Sequence, residues 1–293
     1  MILGVERRDN AIAAVLTDGH GGIAKRGTRD GSDAASAVEI VREVVSGTDV
    51  TAAGVAVSDP LDDTVADLIA AVSSAMDAAV RPRVISRGGA VALAEHWHGA
   101  AIGWRVVAAL VAADQVHSGF VVEGRLFEGA HGAAGAAAWL ALNPVEREDY
   151  RRVGCLGAEI ARPGIVRRLV WRIKSGDESR ALEIAGGDLA AITVNHLFDA
   201  ARAGDGVAIS VVRDTARYVG MAIANIVALI DPDIVVLGGV LADATDLLLQ
   251  ASHMEAQRRL PEGMVNRVRV VPAILGDDGG PLGAARVAMQ LVP

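Results

Sequence analysis

Short apolar runs and alternating apolar and polar positions cover the first 30 residues. The stretches "MILGVE", "AIAAVLTD" and "IAKRGTR" predict three short strands, and "GHGG" predicts a turn between the second and the third. The period then changes to that of a helix. In "ASAVEIVREVV" the residues Val38, Val41 and Val45 fall on one face, which predicts an amphipathic helix.

The chain continues as alternating strands and helices. "AAGVAVS" and "PRVIS" predict strands, and 65–80 and "AVALAEHWHGAA" predict helices. The order then repeats with insertions. "RVVAALVA" predicts a strand, "SGFVVEG" and "RLFEG" a hairpin, 155–230 a long helical region, "DIVVLGG" and "RVRVVPAIL" strands, and "LGAARVAMQLV" a closing helix. This order predicts mostly parallel sheets covered by helices, in two like domains that face each other across a ligand-binding cleft.

The composition indicates a core of small side chains and argues against a membrane protein. Hydrophobic residues make up 52% of the chain, but aromatic residues make up only 3%. A spanning helix needs about 20 apolar residues, and runs such as 106–113 and 221–230 are far shorter. Charged residues begin at Glu6, so we also expect no secretory signal.

One cysteine, Cys155, excludes an internal disulfide and a metal site built from several cysteines, and it favours a cytoplasmic location. The formal net charge is −8, and no Lys/Arg-rich run is present. Because nucleic-acid binding depends largely on neutralising phosphates, we expect no direct nucleic-acid partner and no membrane partner.

Four separated stretches resemble, in order, the ROK family of repressors and sugar kinases. They are "ALAEHWHGAA" (92–101), "VVEGRLFEGAHGAAG" (121–135), 204–244 and "VRVVPAILGDDGGPLGAARVAM" (268–289). The resemblance implies an α/β fold of two actin-like (RNase H-like) domains, each a mixed sheet flanked by helices, with an interdomain cleft for ATP and a hexose. We expect an N-terminal domain at 1–105, onto which the closing helix 281–293 packs back, and a C-terminal domain at 106–280 with a helical insertion.

Several positions depart from what the resemblance implies for phosphate transfer. Family kinases open with an Asp and a Gly-Gly-Thr turn, where this chain has "GVERRDNA" (4–11). The family's catalytic aspartate falls on Arg87, which has no acceptor atom, so we predict no catalytic residue of that kind. The second phosphate loop of the family corresponds to "ADQVH" (113–117), which contains no glycine.

The sugar and zinc positions of the family depart from its pattern as well. Ala136 and Gly157 replace two glutamates, Trp139 replaces a histidine, and Glu148 and Tyr150 replace two cysteines. Structural zinc requires four N/S ligands, so no structural zinc and no other metal is expected.

Some candidate binding residues remain. Gly238, Gly239 and Gly276 lie where the resemblance implies adenosine binding, although they also suit turns between strands and helices. Arg7, Arg8 and Arg87 can form a pocket for a sugar phosphate or another anion. The alternative is that they pair with acids, Arg87 with Glu6 or Asp114 in particular.

Asp59 follows a predicted strand and is a candidate polar contact to a ligand, or the end of a solvated turn. His131 lies near the family's sugar site, where it can donate a hydrogen bond to a ligand or cap local backbone.

Three functions follow from these expectations. The first is a ROK-like protein that has lost kinase activity and acts as a ligand sensor or scaffold without a cofactor. The second is an active sugar or cyclitol kinase that uses ATP and Mg²⁺ with displaced residues, Asp59 or Glu6. The third is a transcriptional regulator that acts through a partner, because the chain starts at the first strand with no helix-turn-helix segment ahead of it. A homodimer or higher homo-oligomer is expected in each case.

Overall fold

The computed structural model describes residues 1–76 and 80–290. Among these residues, strands and helices alternate much as the hydrophobic pattern predicts. The helix predicted at 65–80 ends at Ala75. Residues 77–79 of that predicted helix and residues 291–293 of the predicted closing helix lie outside the described residues. No helix in the described part of the chain is both long and apolar enough to cross a bilayer.

The first sheet has the strand order β3-β2-β1-β4-β5. β1 and β2 pair antiparallel, as do β2 and β3, whereas β1, β4 and β5 run parallel. The strands are β1 (Ile2–Arg7), β2 (Ala11–Thr17), β3 (Ile23–Asp30), β4 (Ala52–Val57) and β5 (Arg83–Ser86). The antiparallel strands at the start of the chain therefore make this a mixed sheet.

Helices α1 (Ala34–Val45), α2 (Val65–Ala75) and α3 (Arg87–His98) belong to the same part of the chain. α1 begins at its cap, Asp33, whose Oδ1 accepts a hydrogen bond from the Ser36 amide at 2.8 Å. Its buried face, which includes Ile40 and Val44, packs into one apolar cluster with β1, β2, β4 and α2.

Helix α13 (Gly279–Met289) packs directly on the backbones of β1 and β4. A Cβ atom at Gly4 would lie 1.9 Å from the Pro281 carbonyl oxygen, and one at Gly54 would lie 1.9 Å from the Ala284 carbonyl oxygen. Only glycine allows this approach, and it confirms the prediction of a core built by backbone packing of small residues.

The second sheet has the strand order β10-β9-β6-β7-β8. β9 and β10 run parallel, and β7 and β8 form the predicted hairpin. The strands are β6 (Val106–Ala112), β7 (Val116–Val122), β8 (Arg125–Leu126), β9 (Ile234–Gly239) and β10 (Arg269–Pro272).

The remaining helices lie between β8 and β10 in sequence. They are α4 (Glu148–Val153), α5 (Cys155–Ile160), α6 (Arg162–Lys174), α7 (Arg180–Ile184), α8 (Val194–Arg202), α9 (Gly206–Ile230), α10 (Val240–Asp243), α11 (Thr245–Gln257) and α12 (Glu262–Val265). Short 3₁₀ turns occur at Ala137–Trp139, Leu189–Ala191 and Gly276–Asp278.

The chain divides into two compact units. The first comprises Met1–Ala109, His117–Gly135 and the described residues from Ala273 onward, and the second comprises Leu110–Val116 and Ala136–Pro272. The hairpin of β7 and β8 thus belongs to the first unit, although the sequence pattern suggests a boundary at residue 105. The physical reason is the close backbone contact between α3 and β7, since a Cβ at Gly88 would lie 2.1 Å from the Ser118 carbonyl oxygen.

Candidate functional site

A buried chain of charges connects β1 to the start of α3. Glu6 Oε1 accepts a hydrogen bond from Arg87 Nε at 3.0 Å, and Glu6 Oε2 accepts one from Arg8 Nε at 2.8 Å. Glu6 is 4% exposed and Arg87 is 8% exposed. Both oxygens of Glu6 are therefore engaged by arginine side chains of the protein.

The other contacts of the three arginines also lie within the first unit. Arg8 Nη2 donates to the Asp277 carbonyl oxygen at 2.6 Å, and Arg7 Nη1 donates to Thr64 Oγ1 at 2.8 Å. Each arginine proposed from sequence for an anion pocket therefore has an acceptor within the protein.

Of the two acids predicted as partners for Arg87, the structure selects Glu6. Asp114 Oδ1 instead lies 3.6 Å from Arg162 Nη1. The alternative prediction, that Asp114 pairs with Arg87, is therefore wrong. The backbone amide of Arg162 also donates to the Ala113 carbonyl oxygen at 2.8 Å. This hydrogen bond holds Arg162 beside Asp114.

The start of α3 is fixed by its cap and by a contact with β7. Ser86 caps the helix, because its Oγ accepts from the Gly89 amide at 3.1 Å. The β7 backbone is in turn bound to the glycine-rich segment after β8, since the Ser118 amide and hydroxyl both donate to the Gly135 carbonyl oxygen at 2.9 Å. Gly135 has φ +89°, and a Cβ there would lie 2.2 Å from the Ser118 carbonyl oxygen. This glycine is therefore required by the backbone packing.

His117 is a buried residue that the sequence did not single out as a site. Burial, and secondarily the charge of Arg87, lowers the pKa of His117 to about 3. The ring is consequently neutral at physiological pH. Its Nε2 has no hydrogen-bond partner among the described residues, and the same is true of Arg87 Nη1.

A small cavity of about 40 Å³ lies in the first unit. Its lining is mostly apolar and consists of Pro60, Val84, Ile85, Ser86, Gly89, Gly119, Leu126, Phe127, Glu128, Gly132 and Ala134. Glu128 is fixed at the cavity by Arg83, whose Nη2 lies 2.9 Å from Glu128 Oε2.

Two further sequence candidates adjoin this cavity in sequence. Asp59 precedes the lining residue Pro60, is exposed, and accepts the Leu61 amide on its Oδ1 at 2.9 Å. His131 precedes the lining residue Gly132 and is also exposed. Asp59 and His131 are therefore sequence neighbours of lining residues, but neither of them lines the cavity.

The three glycines proposed for a nucleotide lie in different surroundings. Gly239 has φ +62°, and a Cβ there would lie 2.1 Å from the Ala112 carbonyl oxygen, while one at Gly238 would lie 3.1 Å from Val111 Cγ2. These contacts within the second unit explain both glycines without a ligand. Gly276, in the first unit, has φ +52° and open space around the Cβ position.

Tyr150, one of the positions that the resemblance gives to a zinc ligand, belongs to a cluster of side chains that the sequence did not reveal. Glu159 is 2% exposed, and its Oε1 accepts from Arg147 Nη1 at 2.9 Å and from the Tyr150 hydroxyl at 2.6 Å. Its Oε2 accepts from Arg168 Nη1 at 2.5 Å. Arg168 also donates to Thr215 Oγ1 at 2.6 Å, so the Glu159 cluster connects α4, α5, α6 and α9.

No group of three or more metal-ligating side chains is present in residues 1–76 and 80–290. At the positions discussed above, Trp139 is 59% exposed and Cys155 is buried beside Tyr150. A buried glutamate between arginines gives no strong sequence signal, because its partners Arg147 and Arg168 lie 12 and 9 positions away on other helical segments.

Sequence similarity assigns the chain to a protein family. The model of the ROK family matches residues 42–291, and the chain belongs to this family. It is 31% identical to a glucokinase from Halalkalibacterium halodurans over 205 residues, which are 68% of this chain and 61% of that protein. It is 29% identical to the N-acetylglucosamine repressor of Escherichia coli O157:H7 over 162 residues, which are 55% of this chain and 38% of the repressor. The chain thus spans less than two thirds of the length of these relatives.

Solved structures agree with the fold. A ROK family glucokinase from Streptomyces griseus, determined in complex with glucose and AMPPNP, superposes with a TM-score of 0.83 at 24% identity, over 99% of each chain. This likeness confirms the predicted α/β, actin-like fold of the family, with two mixed sheets flanked by helices.

Proposed function

We propose that this ROK protein binds a sugar-like ligand and does not transfer phosphate to it, so that it acts as a ligand sensor or regulatory protein. The observation that carries the proposal is the buried ion pair of Arg87 and Glu6. A kinase needs a carboxylate that orients the acceptor hydroxyl and takes its proton. Arg87 occupies the position that the family resemblance gives to that carboxylate, and arginine cannot accept a proton.

The nearest buried carboxylate does not replace it. Glu6 is held by Arg87 at 3.0 Å and by Arg8 at 2.8 Å, so both of its oxygens are already engaged within the protein. Phosphate contacts are also unsupported, because Arg7 and Arg8 are bound to acceptors of the protein. The geometry therefore favours ligand binding without chemistry.

A sugar-like ligand is supported by the family and by the cavity of the first unit. Phe127 at this cavity is 50% exposed, and an exposed aromatic ring offers an apolar face for the C–H groups of a sugar. We place this function in the cytoplasm, without a required metal, and in a homodimer or larger homo-oligomer that sedimentation analysis would reveal.

A second function, ATP-dependent phosphorylation of a sugar, is favoured by the relatives, since glucokinases match over 68% of this chain. On the relatives alone this is the better-supported function. It requires ATP with Mg²⁺ and a displaced carboxylate. Asp59 is the best placed, because it is exposed and adjacent to the cavity residue Pro60.

A third function, regulation of transcription through a partner protein, is favoured by the match to the N-acetylglucosamine repressor. It needs no phosphate transfer and is compatible with a ligand sensor. A salt-sensitive shift of duplex DNA by the purified chain would instead indicate direct binding.

One experiment separates the first two functions. The wild-type chain, Asp59→Asn and Glu6→Gln are incubated with radiolabelled ATP, Mg²⁺ and a panel of hexoses and N-acetylhexosamines, and binding of the same sugars is measured by calorimetry. Sugar binding without labelled sugar phosphate supports the sensor. Turnover that is abolished in Asp59→Asn establishes the kinase.

A further inference from the structure

Helix α6 is strongly basic, although the chain as a whole is acidic. Its sequence RPGIVRRLVWRIK contains five basic side chains and no carboxylate, whereas the formal net charge of the chain is −8. The five are Arg162, Arg167, Arg168, Arg172 and Lys174. Each of the arginines pairs with a carboxylate of the second unit, but Lys174 pairs with none of the described residues.

Three residues form one exposed face of α6. Arg167, Trp171 and Lys174 follow one another at intervals of four and three positions, which places them on the same side of a helix, and all three are exposed. The opposite side includes the buried Ile165 and Leu169. Trp171 is 66% exposed, so a large indole ring lies in solvent between two cations.

An open groove of about 430 Å³ adjoins this face at Arg167. All of its lining residues are charged, and they are Arg147, Glu148, Asp149, Arg152 and Arg167. Asp149 holds two of the arginines, since its Oδ2 lies 2.5 Å from Arg147 Nη2 and also pairs with Arg167 Nη1. These two guanidinium groups are therefore fixed before any partner arrives, which lowers the entropic cost of binding.

We call the groove together with Trp171 and Lys174 the α4–α6 surface. It carries four cations against two carboxylates, Glu148 and Asp149. Two of the cations, Arg152 and Lys174, have no ion-pair partner among the described residues. The α4–α6 surface therefore combines an excess of positive charge with an uncovered indole ring.

These features select an acidic protein segment as the partner. Tryptophan and arginine are among the side chains that contribute most to protein–protein binding once a partner buries them. A carboxylate of the partner can accept two parallel hydrogen bonds from one guanidinium group, and opposite charges steer the approach. A nucleic acid fits less well, because Glu148 and Asp149 would lie against its phosphates. A small ligand fits less well because an open groove buries little of its surface.

The spacing along α6 indicates the shape of this segment. Arg167 and Lys174 are seven residues apart, about 10 Å along the helix axis, and Trp171 lies between them. A helix with carboxylates two turns apart and an apolar side chain between them matches this spacing, as amphipathic helices do in recognition grooves. We propose that the α4–α6 surface binds an acidic amphipathic helix of another protein.

The α4–α6 surface belongs to the second unit, whereas the cavity considered for a sugar belongs to the first. The inference therefore goes beyond sugar binding and holds whether or not the chain phosphorylates its ligand. A surface of this kind gives a regulatory protein a contact through which it acts.

The test measures fluorescence anisotropy of a fluorescein-labelled helical peptide of about 16 residues. The peptide carries Glu residues two helical turns apart and Leu residues between them on an Ala- and Gln-based background. Two control peptides have the same composition in scrambled order, or Lys in place of every Glu. The wild-type chain is compared with Arg152→Glu and Trp171→Ala.

Each variant has a matched control in the second unit. Arg267→Glu reverses the charge of another exposed arginine, and Leu229→Ala truncates another exposed apolar side chain, which is 74% exposed. All four substitutions lie at exposed positions, so the variants should remain folded, and thermal unfolding checks this.

We expect the acidic peptide to bind wild type and to lose affinity as the NaCl concentration rises, because salt screens charges at an exposed surface. Arg152→Glu and Trp171→Ala should each weaken binding about tenfold or more. The first repels the peptide carboxylates, and the second removes the ring that the peptide buries. Arg267→Glu and Leu229→Ala should match wild type, and both control peptides should bind wild type about tenfold more weakly.

Three results would overturn the inference while leaving a sugar-binding function in place. The first is failure of the acidic peptide to bind wild type, and the second is equal affinity of wild type, Arg152→Glu and Trp171→Ala for it. The third is self-association in sedimentation analysis that Trp171→Ala abolishes, which would assign the surface to a second copy of this chain. Failure of sugars to bind would contradict the proposed function and leave this inference in place.

Discussion

Arg87 Nε donates to Glu6 Oε1 at 3.0 Å, and both side chains are more than nine-tenths buried. The second oxygen of Glu6 accepts from Arg8, so one carboxylate balances two cations. A Cβ at Gly280 would lie 2.3 Å from the Glu6 carboxyl carbon, so the N-terminal end of α13 leaves space for this carboxylate. The pair thus joins β1, α3 and α13 at the point where the family resemblance implies chemistry.

Glu6→Ala is expected to destabilise the protein by about 3–5 kcal/mol, because it leaves Arg87 buried without its partner. Glu146→Ala is the control, since Glu146 and its partner Arg151 are 75% and 74% exposed and an exposed pair contributes at most about 1 kcal/mol. Urea unfolding measures both. Equal and small effects would show that Glu6 is not the buried counter-ion described here.

Stability should fall below pH 6.5 because of His117. The pKa of His117 is about 3 in the folded protein and 6.5 in the unfolded chain, so the unfolded state binds more protons as the pH falls. The contribution of neutral His117 to the free energy of unfolding is complete above pH 6.5. It falls by about 1.4 kcal/mol per pH unit from pH 6.5 towards pH 3.

His117→Leu should therefore show a shallower loss of unfolding free energy than wild type, by about 2 kcal/mol at pH 5. His20→Leu should follow wild type. Denaturant titrations at several pH values make the comparison, and parallel profiles for wild type and His117→Leu would refute the assignment.

Chelation should leave the second unit unchanged, because the Glu159 cluster holds α4, α5, α6 and α9 together without a metal. We expect no stoichiometric zinc by elemental analysis and the same melting temperature with and without EDTA. Glu159→Ala should destabilise by about 3–5 kcal/mol, since it leaves the mostly buried Arg168 without its partner. One bound zinc per chain together with chelator-induced melting would contradict this prediction.

Glu95 is a fully buried carboxylate whose oxygens accept three backbone amides of the described residues. The Ala100 amide donates at 2.7 Å, and the Ile274 and Leu275 amides each donate at 3.0 Å. Glu95→Gln should cost about 2–3 kcal/mol, because the new amide donor faces other donors. Exposed Glu43→Gln is the control. A cost below that of the control would show that Glu95 does not hold the segment before α13.

Most elements of the fold follow from the hydrophobic pattern, and their contacts explain why. The continuous apolar run of β2 matches a strand in which every residue but the first is buried, and the 3.6-residue period of α1 matches a helix with one buried face. After β9 the structure has the short helix α10 followed by α11, and Thr245 Oγ1 donates to the Ala242 carbonyl oxygen at 2.7 Å where α11 begins. Such a local side-chain contact leaves the apolar period unchanged, so the pattern does not reveal it.

The candidate site was less predictable, because its key contacts join distant residues. Arg87 was singled out because the family resemblance places it at the position of the catalytic aspartate, and its pairing with Glu6 was one of two alternatives. The effect of the Arg87 charge on His117 depends on the approach of Gly88 to Ser118, which joins positions 30 residues apart. Glu159 was missed because its partners Arg147 and Arg168 meet it only when the helices have packed.

The most direct test of the central claim, that this chain binds a sugar without phosphorylating it, is single-turnover transfer from radiolabelled ATP–Mg²⁺ to a hexose that calorimetry has shown to bind. The chain is used at a concentration above that of ATP. The account predicts a bound hexose and no labelled sugar phosphate for wild type. Stoichiometric labelled sugar phosphate, formed by wild type and lost in Asp59→Asn or Glu6→Gln, would contradict it.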